Sequence, residues 1–251
     1  MGMEPVTTST KLEIGSVIER SIGLVFGNGM QVLAMVALVT SPVLVYRAAV
    51  LAGVFHPPWL LGQGFDVVLL GLAVVLGNLG AAACVHMVMA RLRGEPVTIG
   101  TSLASAVVRL PTVVGVAIVV GLTTAVGMML CLLPGLLVMT MMWVAIPAAV
   151  VENRGVFDAI QRSVELTEGN RLRIFLLALL LFAVFQGSAF AAGLFLGSTF
   201  GTQALKAAHL LDLVVSIVQG SFNAVLYSLV YHDLRRIREG LDVEDLVAVF
   251  E

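Results

Sequence analysis

Six apolar runs constrain this chain more than any other feature, because each is close to the roughly 20 residues a helix needs to cross a hydrocarbon core. They cover 30–54, 66–90, 111–132, 135–152, 173–196 and 207–231. Apolar residues make up 59% of the chain and charged ones 12%, with a mean hydropathy of +1.03, values out of reach for a soluble domain. The expected fold is all-α: a polytopic membrane protein with six transmembrane helices in a single integral membrane domain spanning 1–251. Runs three and four are parted only by Pro134-Gly135, which suits a tight helical hairpin. Pro147 lies inside the fourth run, where it removes a backbone hydrogen bond and kinks the helix, so a neighbour must satisfy the freed carbonyl.

Orientation follows from the basic residues, since short loops rich in Lys and Arg stay in the cytoplasm. Lys11 and Arg20 precede the first run, and Arg91, Arg93 and Arg109 follow the second. Arg154, Arg162, Arg171 and Arg173 follow the fourth, and Arg235, Arg236 and Arg238 the sixth. Only Arg47 and Lys206 remain for the other side. Both termini are therefore expected in the cytoplasm of a multi-pass inner or plasma membrane protein, with "FHPPWLLGQGF" as an outer loop whose Trp59 suits an interfacial aromatic belt. The first run is too long for a signal-peptide core and has no small-residue cleavage site behind it, so an uncleaved first span is expected.

One stretch, "DAIQRSVELTEGNRLRIF" at 158–175, is strongly charged. Projected at 100° per residue, 156–168 divides into two halves. Leu166, Ala159, Ser163, Val156, Thr167, Ile160, Val164 and Phe157 fall on one, and Asp158, Gln161, Arg162, Glu165 and Glu168 on the other. This predicts an amphipathic helix in the inner interface, ended by Gly169-Asn170. "IERSIGLVFGNGMQV" at 18–32 repeats the skeleton, and 14–26 fits the same role ahead of span one. A weaker third copy, Ile99 to Pro111, leads into span three. The chain then reads as three units, about 12–92, 97–152 and 155–235, with a cytoplasmic tail at 236–251. Each unit is a hairpin preceded by a cytoplasmic interfacial helix, and any pseudo-symmetry axis runs along the membrane normal.

Pro147, Glu152, Ala159, Ile160, Arg162, Ser163, Leu166, Thr167, Gly169 and Arg173, with the tail "YHDLRRIREGLDVEDL", carry a resemblance to a known family. In that tail Tyr231, Asp233, Leu234, Arg235, Glu239 and Gly240 form the matching pattern. The chain resembles the membrane domain associated with glycerophosphoryl diester phosphodiesterases and its uncharacterised six-span bacterial relatives. The resemblance implies a membrane region that stands beside a soluble phosphodiesterase domain or alone. Six spans leave no room for a catalytic barrel of about 200 residues, so no phosphodiesterase activity is expected.

Chemistry-bearing residues do not converge in the sequence. Cys84 and His86 are two apart and point to nearly opposite helix faces, while His56, His209 and His232 fall outside ligand-spacing motifs. No catalytic residue, cofactor or metal site is expected, and nucleic-acid binding has no support. Glu152, Asp158, Arg162 and Arg173 form a candidate cytoplasmic interface site, read first as a cap that pins the amphipathic helix. Gly71, Gly77, Gly80 and Gly121 suit close helix packing. Arg47 and Asp212 lie about 10 Å below the outer ends of their runs at 1.5 Å per residue and form a candidate intramembrane ion pair. Asn78, His86, Gln186, Gln219 and Asn223 could line a polar seam.

The leading functional expectation is a non-enzymatic membrane scaffold that organises lipid or a partner. Its partners would be anionic lipids of the cytoplasmic leaflet and a protein or a second copy of the chain. A small-solute or lipid transporter is the runner-up, permitted by three parallel hairpins, and a lipid-modifying enzyme comes third.

Overall fold

A computed structural model describes residues 11–27, 30–51 and 63–239. Those residues are helical throughout their regular structure, with no strand among them. In order come α1 (Ile14–Ile22), a π-helical turn (Gly23–Gly27), α2 (Met30–Leu51), α3 (Gln63–Leu92), α4 (Ile99–Leu130), α5 (Leu132–Met141), α6 (Ala145–Val151), α7 (Val156–Thr167) and α8 (Arg171–Glu239). Five segments are long and apolar enough to cross a membrane, and a sixth is added if Ile14–Phe26 and Met30–Tyr46, bent by 77°, count as one broken span. The chain is a membrane protein. The Trp59 loop, Asn28 and the tail from 240 onward lie outside the described residues, as do the side chains of the expected Arg47 and Asp212 pair.

The 69-residue α8 cannot be straight. Phe185 and Phe222 are 37 positions apart, about 56 Å along an ideal helix, yet their ring centroids are 6.0 Å apart. The chain therefore reverses between them into a first arm, Arg171–Phe195, and a second arm, Val214–Glu239. α2, α4 and α8 pack against α3. That placement follows from the sequence of α3, where Ala82, Ala83, Cys84 and Val85 are buried in succession and give neighbours access on several sides.

The hairpin joining α4 to α5 turns at Cys131, whose extended backbone (φ −170, ψ 147) separates the two helices. This corrects the expected break at Pro134-Gly135. Pro134 sits in the first turn of α5, where its missing N–H would have had no partner anyway. Gly135 answers a different need: a Cβ there would lie 2.5 Å from the backbone nitrogen of Met128, and one on Gly127 would lie 2.9 Å from the Cα of Gly135. Of the glycines read as packing sites, Gly80 would meet only an ordinary contact at 3.7 Å from Val39. Gly71, Gly77 and Gly121 would meet nothing within 4 Å. Small residues mark close approach only where a neighbouring backbone or side chain occupies the vacated space.

The third copy of the repeat is not a separate helix. Residues from Ile99 onward run without interruption through Pro111 to Leu130 as one 32-residue helix. The other two copies carry Gly-Asn after their apolar face; this one lacks that stop signal, and its Thr98–Thr101 capping box starts a helix that nothing ends.

Candidate functional site

A polar cluster joining several elements is centred on Glu152. α6 ends at Val151, and Glu152 donates its backbone N–H to the carbonyl of Ala148. Asn153 then takes a left-handed conformation (φ 54), which Asn tolerates better than most residues, and Gly155 leads into α7. This tight reversal holds the Glu152 carboxylate against three donors. Its Oε1 accepts from Arg162 Nε at 3.0 Å and from the Tyr231 hydroxyl at 2.8 Å, and its Oε2 accepts from Arg154 Nε at 2.5 Å. The loop, α7 and the second arm of α8 are thus joined through one carboxylate. Arg162 continues the chain to Glu239, which also pairs with Arg235 at 2.7 Å, and Arg238 reaches Glu168 at 2.7 Å.

Burial pushes the Glu152 carboxyl up, but the hydrogen bonds from Arg162, Tyr231 and Arg154, with the Arg162 charge, outweigh it and hold the group below the usual carboxylate range. For Arg162, burial opposes the charge, and the Glu152 and Glu239 carboxylates more than restore it. Both side chains are charged at neutral pH. Because every oxygen of Glu152 is engaged with a donor, the carboxylate is a structural acceptor and not a free base.

α7 performs a second task at the break between α5 and α6. Pro147 has no N–H for the carbonyl of Trp143, and the helix parts at residues 142–144, where Ala145 N–H turns to Met142 at 3.2 Å. The carbonyl of Met141 is left over. It accepts from Ser163 Oγ at 2.9 Å and from Thr167 Oγ1 at 3.3 Å, while Val144 N–H donates to Ser163 Oγ at 3.2 Å. Ser163 and Thr167, one turn apart, are fully buried. Their polarity on the buried face of α7 is the signal that a backbone defect faces them. Arg109 of α4 closes the other end of α6, donating to the carbonyls of Ala149 at 3.4 Å and Val150.

The first segment is fastened at the same end of the molecule. Leu12 donates its N–H to Asn170 Oδ1 at 3.0 Å, and its carbonyl accepts from Arg173 Nη1 at 2.5 Å. Arg20 of α1 pairs with Asp233. Of the four residues read as one cytoplasmic site, the structure therefore brings Glu152 and Arg162 together. It assigns Arg173 to Leu12, and Asp158 is exposed in the first turn of α7, where a carboxylate suits the helix dipole. Tyr231, Asp233 and Glu239 belong to the tail pattern and Arg109 to no motif, but the partners of all four come from tertiary proximity that local sequence does not show.

The supposed polar seam divides. Asn78 donates to the carbonyl of Val74 at 2.8 Å, and His86 lies 3.4 Å from Ser102 Oγ. Gln186, Gln219 and Asn223 instead share a cavity of about 270 Å³ with Trp143, Phe185 and Tyr227. Trp143 meets Tyr227 edge-on at 5.0 Å, and its buried indole N–H has no hydrogen-bond partner among the described residues. Among the described residues no three His, Cys, Asp or Glu side chains are placed to hold a metal ion.

Residues 65–234 match the model of a family described as "Domain of unknown function (DUF7847)", which is more than half of the chain, and the protein belongs to that family. No curated protein and no solved structure matches it.

Proposed function

For this member of the DUF7847 family we propose the role of a non-enzymatic integral membrane scaffold in the inner or plasma membrane, with both termini cytoplasmic, organising lipid or a protein partner at the cytoplasmic leaflet. The observation that carries this reading is the Glu152 cluster, which fastens the α6–α7 loop, α7 and the end of α8 into one charged platform beside the point where α8 begins. Such a platform suits a rigid surface presented to headgroups or to another protein. The positive-inside distribution of arginines supports its cytoplasmic side. α1 and α7 are read as helices lying in that interface, with the membrane segments as three hairpins; the 77° bend after α1 and the half-buried circumference of α7 support this. The likeness to the phosphodiesterase-associated membrane domain is part of the proposal and brings no activity with it.

A transporter is the second reading, and one feature favours it. The cavity of Gln186, Gln219 and Asn223 adjoins a broken helix, as binding sites in transporters often do. The two readings separate on the purified chain. Native mass spectrometry from mild detergent is expected to find an anionic phospholipid or a stoichiometric protein retained, and proteoliposomes are expected to hold a gradient of small neutral solutes. A chain that retains neither and dissipates such a gradient supports the transporter instead.

A further inference from the structure

The groove between α5 and the first arm of α8 contains a cation without a counter-charge among the described residues. A cavity of about 270 Å³ there is lined by Leu133, Leu137, Thr140, Leu172 and Phe175, together with Arg171, the first residue of α8. Arg171 Nε is buried with no hydrogen-bond partner, and Arg171 forms no ion pair among the described residues. Its neighbours differ: Arg154, Arg162, Arg235 and Arg238 each hold a carboxylate, and Arg173 holds the Leu12 carbonyl. No hydrogen bond joins Thr140 to Arg171 among the described residues; the Thr140 hydroxyl donates to the carbonyl of Leu137 at 2.7 Å.

A guanidinium has no neutral form at any ordinary pH, so leaving it half-desolvated costs free energy until an anion joins it. The rest of the groove is apolar and follows α5 from Thr140 to Leu133, about 10 Å at 1.5 Å per residue. A small hydrated anion would satisfy Arg171 and leave that length unfilled; a hydrocarbon chain would fill the length and leave Arg171 bare. Leu133, Leu137 and Leu172 are 75%, 50% and 70% exposed, so the groove is reached sideways from the bilayer. We infer that it seats one phospholipid of the leaflet at the charged end, with the phosphate on Arg171 and an acyl chain along α5. The inference rests on the scaffold reading and gives its lipid a chemistry and a place.

The test uses the full chain in mixed micelles with phosphatidylglycerol carrying a diazirine in its acyl chain, irradiated and mapped by peptide mass spectrometry. Label is expected on Leu133–Thr140 and Leu172–Phe175, falling about fivefold in Arg171→Gln, the loss of one basic headgroup contact. Arg171→Lys should retain most of it, and excess inorganic phosphate should leave it unchanged. Diacylglycerol with the same diazirine chain should label these peptides less than phosphatidylglycerol does. Equal labelling by diacylglycerol, or an unchanged Arg171→Gln, overturns the headgroup contact, and competition by inorganic phosphate overturns the lipid as occupant. If Arg171→Gln does not fold, Leu137→Trp decides: it fills the groove with Arg171 intact, and undiminished label there rejects the site. A failed groove test with anionic lipid still copurifying leaves the scaffold reading standing, whereas absence of any copurifying lipid or partner removes the scaffold itself.

Discussion

The α4–α5 and α6–α7 hairpins reverse the chain in opposite ways. At Cys131 the turn is closed by backbone alone: Cys131 N–H reaches the Gly127 carbonyl at 3.1 Å, and Gly135 packs against Met128. Met129, Leu130, Leu132 and Leu133 surround it, all exposed. At residues 152–155 the turn is instead closed by side chains, with Glu152 gathering Arg154, Arg162 and Tyr231. A turn built for apolar surroundings cannot leave polar groups to water and must rely on glycine and close packing. The polar turn can recruit charge, and it thereby couples distant segments that the apolar turn leaves alone.

That contrast predicts a graded series of effects. The largest belongs to the apolar turn. Gly135→Val would drive a branched side chain into the Met128 backbone, an overpacking cost expected to reach about 3 kcal/mol or more, and the variant should accumulate poorly and melt early in detergent. Wild-type behaviour would show that the turn is not closed by backbone contact. Next comes the helix break. Ser163→Ala strands the Val144 N–H and weakens the hold on the Met141 carbonyl, for about 2–3 kcal/mol. Ser163→Thr, which keeps the hydroxyl, should recover part of the loss in the same melting experiment; equal damage by both would assign the effect to volume.

How much of this was legible follows from the range of each interaction. Apolar runs and the 156–168 pattern depend on local spacing, so the helices were readable, and so was the buried face of α7 at Ala159, Ser163 and Leu166. Phe157 departs from that pattern, 76% exposed on the half expected to be apolar. Pro147 announced a defect in its helix, but not that Ser163 and Thr167 would repair it. The Glu152–Arg162 contact, ten residues apart, lay within reach of a sequence argument. Tyr231 and Glu239 join it from 79 and 77 positions away, a proximity that only the reversal of α8 creates. The middle repeat misled because its start resembles the other copies, while the missing Gly-Asn at its end decides the fold.

Glu152 is a charged, internally satisfied hub joining the loop, α7 and α8, and its titration tests this directly. The Glu152 carboxyl is held below its ordinary value in the folded state, so its stabilisation is fully present above the unfolded value of about 4.3 and is lost as pH falls through the lower folded one. The measurement is the difference in unfolding free energy between wild type and Glu152→Gln in detergent across that range. A difference of roughly 2 kcal/mol is expected, constant at neutral pH and shrinking as the pH drops below the ordinary carboxylate value. A difference that is absent, or that does not change with pH, would mean that the Glu152 carboxylate is not a charged hub.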